Sequence, residues 1–299
     1  MNIRLLHNNE IDFKLWDTLI LSSPKSSIFH FSWFLELIDD DWYALIANDY
    51  NWVFPFFVQK KQVYFPQLIP YLGIVSSKTL SVDEFESILE FWNKNFVSID
   101  YHFSKYQYKF SQDPLFIPSP YFQKDLIKRY NNIAKTFSPE VKQNLDIANN
   151  NQLRCISLRS LFNFISFIKE YSNYSMDEIK TIQKIILRAT RLKRGKMYSI
   201  YNKKNELSAV AFLLFSKSKA YIMYTAYAPE AKKERADYKM INTIIEELCL
   251  YNITLENHSH NNKSQIFEAF NFKSYHSYQY QHHTKQNLLS LLQQFLKRN

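Results

Sequence analysis

Leu207-Ser208-Ala209-Val210-Ala211-Phe212-Leu213-Leu214-Phe215 is followed, after the turn Ser216-Lys217-Ser218-Lys219, by Ala220-Tyr221-Ile222-Met223-Tyr224-Thr225-Ala226-Tyr227-Ala228. Two long runs of aliphatic and aromatic residues joined by a short polar turn predict two adjacent antiparallel strands. Ahead of them, Tyr198 to Tyr201 reads as another strand, closed by the polar turn Asn202 to Glu206. Behind them, Met240, Ile241, Ile244, Ile245 and Leu248 recur at helical spacing. Ile253-Thr254-Leu255-Glu256-Asn257-His258 then returns to strand. A meander cannot form an all-parallel sheet, so a mixed sheet flanked by helices is expected.

The same order occurs about 155 residues earlier, a domain-sized offset. Tyr43 to Ile46 and Trp52 to Val58 read as strands around the turn Asn48 to Asn51, and a third apolar stretch runs from Val63 to Val75. Phe85, Ile88, Leu89 and Trp92 mark a helix opened by a Ser81–Glu84 capping box. Val97-Ser98-Ile99-Asp100-Tyr101-His102 matches the closing strand of the later half, with Asp100 equivalent to Glu256. Helices also precede each meander. Phe13, Trp16, Leu19 and Ile20 mark the first; Leu161, Phe164, Ile165 and Ile168, then Ile179, Ile182, Ile186 and Ala189 behind a Ser175–Glu178 box, mark those of the second half. The α/β fold is therefore expected as two similar halves, residues 1–130 and 131–299. Gln112 to Lys135, with Pro114, Pro118 and Pro120, reads as the connector; Ser138-Pro139 opens a helix, and Leu288, Leu289, Leu292 and Phe295 predict a last amphipathic one.

Glycine decides which chemistries are excluded. The chain has only Gly73 and Gly195 in 299 residues. A phosphate-binding P-loop, a dinucleotide fingerprint and a G-x-S-x-G elbow each need glycines close together. Cys155 and Cys249 carry no zinc spacing or disulfide framework. The residues after Met1 do not read as a signal peptide, and no run nears the ~20 apolar residues that span a bilayer, so a cytoplasmic protein is expected. The net charge of +9 suits RNA or nucleotide-linked ligands, and equally a lysine-rich surface spread over the whole molecule.

Several local stretches resemble one family. Ser27-Ile28-Phe29-His30 with Trp33, Pro66-Gln67 through Pro70-Tyr71-Leu72-Gly73-Ile74, the segment Phe137 to Ala148, and Leu255-Glu256-Asn257-His258-Ser259 followed by Phe267 and Phe270-Asn271-Phe272 occur in the order seen in Fem-like aminoacyltransferases. The chain is thus similar to tandem GNAT proteins of the acyl-CoA N-acyltransferase superfamily, each half a mixed, mostly antiparallel sheet with flanking helices. The resemblance implies transfer of an acyl or aminoacyl group to an amine of a small molecule or peptide, with acyl-CoA or aminoacyl-tRNA as donor. It also implies a groove between the halves lined by Trp33, Gln67 and Tyr71, with Lys142 and Asn144 on the inter-domain helix.

The resemblance places the donor site at the end of the strand Ala220 to Ala228. Acyl-CoA-dependent members carry a glycine-rich loop there, whose amides hold pyrophosphate at a helix N-terminus. Here the stretch is Ala231-Lys232-Lys233-Glu234-Arg235-Ala236-Asp237, basic but without glycine. Lys232, Lys233 and Arg235, with Ala226, Tyr227 and Ala236, are the expected donor contacts; a solvated turn is the plainer reading. Glu256 is the expected general base and Tyr224 a general acid, against an ordinary strand-end carboxylate and a core tyrosine. His258 and His260 form an H-x-H pair with no third ligand in view. The missing glycines favour a different class of function: a catalytically degenerate binding protein for a nucleotide-linked or peptide ligand.

Overall fold

The computed structural model describes residues 3–47, 50–106, 115–258 and 264–283. Contacts divide the chain into two compact units, one of residues 1–119 with 276–299 and one of residues 120–275.

The first unit opens with β1 (Ile3–His7), α1 (Phe13–Ser22) and α2 (Ser32–Ile38). The meander follows as β2 (Trp42–Ala47), β3 (Trp52–Gln59) and the short β4 (Gln62–Tyr64). The expected third strand is largely irregular: beyond β4 only β5 (Val75–Ser76) is extended, pairing with β3. Pro66 and Pro70 lack the N–H groups that a continuous ladder needs, which accounts for the interruption. α3 (Val82–Asn95) leads to β6 (Ser98–Phe103), which lies parallel to β4. The Ser81 capping box forms as expected, with Ser81 accepting from Glu84 N and Glu84 accepting from Ser81 N. Its helix buries Phe85, Ile88 and Trp92, and the Trp92 ring meets Phe54, Phe56 and Tyr101 at 4.7, 5.4 and 5.1 Å. Edge-to-face contacts of this kind add to the area they bury.

Gln112 to Lys135 is not only a connector. It contains the eleven-residue strand β7 (Phe116–Leu126). Pro118 and Pro120 fall before the ladder that Phe122–Leu126 makes, so the prolines that suggested a loop take no donor from those rungs. Then come α4 (Tyr130–Ala134), α5 (Pro139–Asn150), β8 (Arg154–Ser157), α6 (Leu161–Tyr171) and α7 (Met176–Arg191). The meander is β9 (Gly195–Tyr201), β10 (Leu207–Phe215) and β11 (Lys219–Tyr227). α8 (Pro229–Lys233) and α9 (Ala236–Leu248) return the chain to β12 (Ile253–Asn257), parallel to β11. α10 (Ser264–Ala269) and β13 (Lys273–His283) complete it.

Strand order from β2 through β6 matches that from β9 through β12: an antiparallel meander whose last strand runs parallel to the strand after the helix. The closing strand of each unit comes from elsewhere in the chain. β12 pairs antiparallel with β7 in the second unit, and β6 pairs antiparallel with β13 in the first. That pairing is why residues 276–299 group with the first unit and not, as the sequence suggested, with residues 131–275. The helix expected over Leu288–Phe295 lies outside the described residues.

The second unit's core lies between one face of its sheet and α5 and α9, with Ala209, Ala211, Leu213, Ala220, Ile222 and Leu255 pointing into it. α6 and α7 cover the other face through Phe164, Phe167, Ile168, Ile182 and Ile186. Gly195 is required at the start of β9, where a Cβ would lie 2.6 Å from the buried Phe212 ring.

Candidate functional site

The candidate site is built on β11 and β12 of the second unit. They pair in parallel over four residues, Lys219↔Thr254 to Ile222↔Asn257, and among the described residues their pairing stops there. Met223–Tyr227 continues alongside β10. The end of the described pairing coincides with a bulge. Phe212 faces Tyr224 but Leu213 faces Ile222, so Met223 is the extra residue. The bulge shifts the alternation, placing Tyr221 and Tyr224 on the same face, under α6 and α7.

Tyr224 is 2% exposed, stacked on Phe212 and edge-on to Tyr174. Its hydroxyl is buried without a hydrogen-bond partner. Burial, with a smaller effect of Tyr174, pushes the phenol well above its ordinary value, so it stays protonated at neutral pH. Ala226 shares this face and is buried, while Tyr227 points to the α9 side with its phenol raised by burial and then by the Asp237 charge.

The basic turn behind β11 is helical at first. α8 carries Lys232 and Lys233, both exposed, and Lys233 pairs with Glu230 at 3.2 Å. The strand-to-helix junction then takes the left-handed conformation at Arg235, φ 63° and ψ 37°, where glycine fits most easily. The backbone conformation expected to need a glycine is thus kept by an arginine. Arg235 is exposed and stands before the first turn of α9, whose Ala236 is buried. Asp237 occupies that turn and accepts a hydrogen bond from Tyr238 N, placing a carboxylate where an incoming anion would sit.

Glu256 is fully buried on the face opposite Leu255. Lys219 Nζ lies 2.5 Å from Oε1, Gln123 Nε2 donates to Oε1 at 3.1 Å, and His258 Nε2 is 3.2 Å from Oε2. Burial pushes the carboxyl up, but the His258 hydrogen bond and the Lys219 charge outweigh it and hold the group at about 2. A carboxylate so stabilised is a weak proton acceptor, so Glu256 does not fit the direct base role its sequence position suggested. The His258 ring lies flat on Tyr121, centroids 4.3 Å apart and planes 13° apart. His260 lies outside the described residues.

The structure gathers a constellation that the sequence left scattered. Glu256 and His258 share a face by strand alternation, which the i, i+2 spacing signals. Tyr121 and Gln123 were concealed by reading β7 as a connector, and Lys219 looked like a turn residue. The expected acceptor contacts divide between the units. Trp33 is partly exposed, Gln67 exposed and Tyr71 buried against Phe29 in the first unit. Lys142 is exposed and Asn144 buried on α5 in the second. A shallow concavity of the second unit, lined by Arg129, Tyr130, Thr243, Glu246 and Leu250, includes none of the expected residues. No described helix is long and apolar enough to cross a membrane.

Meander, helix and parallel return strand, present in each unit, define a tandem GNAT-like fold with Fem-like similarity. Solved structures carry the same arrangement. FemX is 12% identical with a TM-score of 0.65, over 97% of this chain and 99% of that one. L-PGS from Bacillus licheniformis is 9% identical with a TM-score of 0.55, over 92% of each. A tandem GNAT protein from the clavulanic acid biosynthesis pathway is 8% identical with a TM-score of 0.53, over 94% and 98%. No family model and no curated protein matches the sequence.

Proposed function

We propose that the chain transfers an activated acyl or aminoacyl group to an amine of a small molecule or peptide, and that the second unit holds the donor beside Met223–Tyr227. Each unit is read as one GNAT-like half. The end of the described β11–β12 pairing at Ile222 and Asn257 carries the reading, because β11 runs on from there directly into the basic turn. Backbone N–H groups beside a donor carbonyl stabilise the oxyanion that develops on attack. Lys232, Lys233 and Arg235 supply positive charge for donor phosphates, with Ala226, Tyr227 and Ala236 as neighbouring contacts. Tyr224, the expected general acid, lies on this stretch and is held protonated by burial. Trp33, Gln67 and Lys142 are accessible for an acceptor, whereas Tyr71 and Asn144 act through packing.

The donor is acyl-CoA or aminoacyl-tRNA. Likeness to FemX supports the aminoacyl case, and there the missing glycine loop is no obstacle. The carboxylate locked by three donors favours a second reading, a binding protein that keeps the fold without turnover. A melting-temperature screen with CoA esters, aminoacyl-tRNA and nucleotide sugars, followed by mass analysis of added amines, separates the two. A donor that raises the melting temperature and leaves its acyl group on an amine supports transfer; a rise with no product supports binding alone.

A further inference from the structure

We infer that the outer face of α6 and α7 docks the second unit onto an anionic lipid surface, a role that does not depend on the transferase reading above. The chain's charge is not spread evenly. Residues 179–205 hold nine Lys and Arg and no Asp or Glu, whereas the whole chain has 37 and 28. The remaining residues are therefore balanced, and this stretch carries the full net charge of +9. Six of its nine cations lie on α7 and the turn that ends it.

The helix sorts its residues by period. Ile179, Ile182, Ile185, Ile186 and Ala189 are buried on one side. Met176, Lys180, Lys184, Leu187 and Arg191 recur at i, i+4, i+8, i+11 and i+15, which places them on the opposite side, and all are exposed. Past the helix Lys193 takes the left-handed conformation, φ 55°, and Arg194 N donates to Ala189 O at 2.7 Å. That closed turn holds Lys193 and Arg194 at the end of the stripe. Among the described residues Lys180 pairs with Asp177 and Lys196 with Glu247, whereas Lys184, Arg188, Arg191, Lys193 and Arg194 have no acid partner.

Charge alone does not choose between phosphate-bearing partners; the apolar residues among it do. Met176, Leu187 and Leu192 are exposed beside the cations, and Phe162 of α6 is 78% exposed. α6 joins α7 through residues 172–175 and packs against it, so the two run antiparallel. Phe162 and Lys169, seven residues apart, lie on the side of α6 away from the buried Phe164, Phe167 and Ile168. The helix dipole accounts for Arg188 and Arg191 in the last turn, but not for Lys184 or for the exposed leucines and phenylalanine. Nucleic acid offers phosphate to the cations and little to Leu or Met side chains. An anionic bilayer suits both: Lys and Arg meet lipid phosphates while Leu, Met and Phe enter the boundary between headgroups and acyl chains.

Vesicle co-sedimentation of the full chain tests this. The wild type should bind phosphatidylcholine vesicles containing about 30% phosphatidylglycerol, stay in solution with phosphatidylcholine alone, and release as salt rises. Lys184→Ala/Arg191→Ala should weaken binding about 20-fold, roughly fivefold for each cation removed. Lys142→Ala/Lys232→Ala takes the same charge from α5 and α8, on the other face of the sheet, and should bind within about twofold of wild type. Phe162→Gln/Leu187→Gln should weaken vesicle binding about tenfold while leaving its salt dependence unchanged. Every side chain replaced is exposed, so the melting temperatures should match wild type. A wild type that leaves anionic vesicles in solution overturns the proposal, whatever the variants do. Equal losses in the two cation pairs would make the charge diffuse and overturn it too. Full vesicle binding by Phe162→Gln/Leu187→Gln, or tighter binding of a single-stranded RNA than of vesicles through the same cations, would overturn the lipid assignment in favour of nucleic acid. Absence of transfer with every donor leaves this result standing.

Discussion

His30 shows what one residue contributes in the first unit. It is 1% exposed and its Nδ1 accepts from Ser27 N, so the ring is neutral and its other nitrogen donates to the Gly73 carbonyl. Burial lowers its pKa to about 3, against the raising effect of these hydrogen bonds. The unfolded chain therefore binds the proton more readily, and stability is fully present above pH 6.5 and lost as pH falls toward 3. The stability difference between wild type and His30→Asn is expected to shrink by about 2 kcal/mol between pH 7.5 and 5. Urea unfolding at the two pH values measures it; an unchanged difference would mean the histidine is not buried neutral. In sequence His30 was visible only as part of a family-like stretch, because burial of one polar ring depends on contacts with Gly73, distant in the chain. Glu256 shows the same limit: its position at a strand end was legible, its lock by Lys219, Gln123 and His258 was not.

Elements were the most legible scale, because their signals are local. The Ser175–Glu178 box is formed, with Ser175 Oγ accepting from Glu178 N at 3.2 Å and Ser175 N donating back at 2.7 Å. Its helix buries Ile179, Ile182, Ile185, Ile186 and Ala189 along one stripe. Ser175→Ala is expected to cost about 1 kcal/mol, measured by denaturant unfolding, whereas Ser175→Asp should be nearly neutral. Equal losses in both variants would place the effect in something other than the cap. The misread element is β7. Its prolines are the usual marks of a loop, and it is held as a strand by distant pairings, with β13 on one side and, through Phe122–Leu126, with β12 across 127 or more residues of chain. Arg235 is the converse case: the basic turn was legible, but its left-handed backbone without glycine was not.

At the scale of the molecule, the order of meander, helix and return strand was readable and the strand that closes each unit was not. A constant offset reports similar folding instructions, but which strand completes which sheet depends on pairings between distant segments. Tyr280 of β13 is 1% exposed, packs tilted against Phe116 at 4.8 Å, stacks on Trp92 at 6.4 Å, and bonds Asn93. A fragment of residues 1–130 lacks this strand and is expected to show no cooperative unfolding by circular dichroism; a sharp transition would mean the first unit closes without β13. The central claim concerns the second unit, where β11 runs on from its described pairing with β12 to meet Lys232, Lys233 and Arg235. All three are exposed, so replacing them with alanine should leave the fold and melting temperature intact. Positive charge ahead of a helix favours an anion, and salt screens that preference. The decisive measurement is calorimetric titration of the wild type and the triple variant with acyl-CoA and with aminoacyl-tRNA at two salt concentrations. Weaker binding by the triple variant, with the gap narrowing at high salt, is the predicted result. Equal binding of every donor by both proteins would contradict the claim that this turn holds the donor.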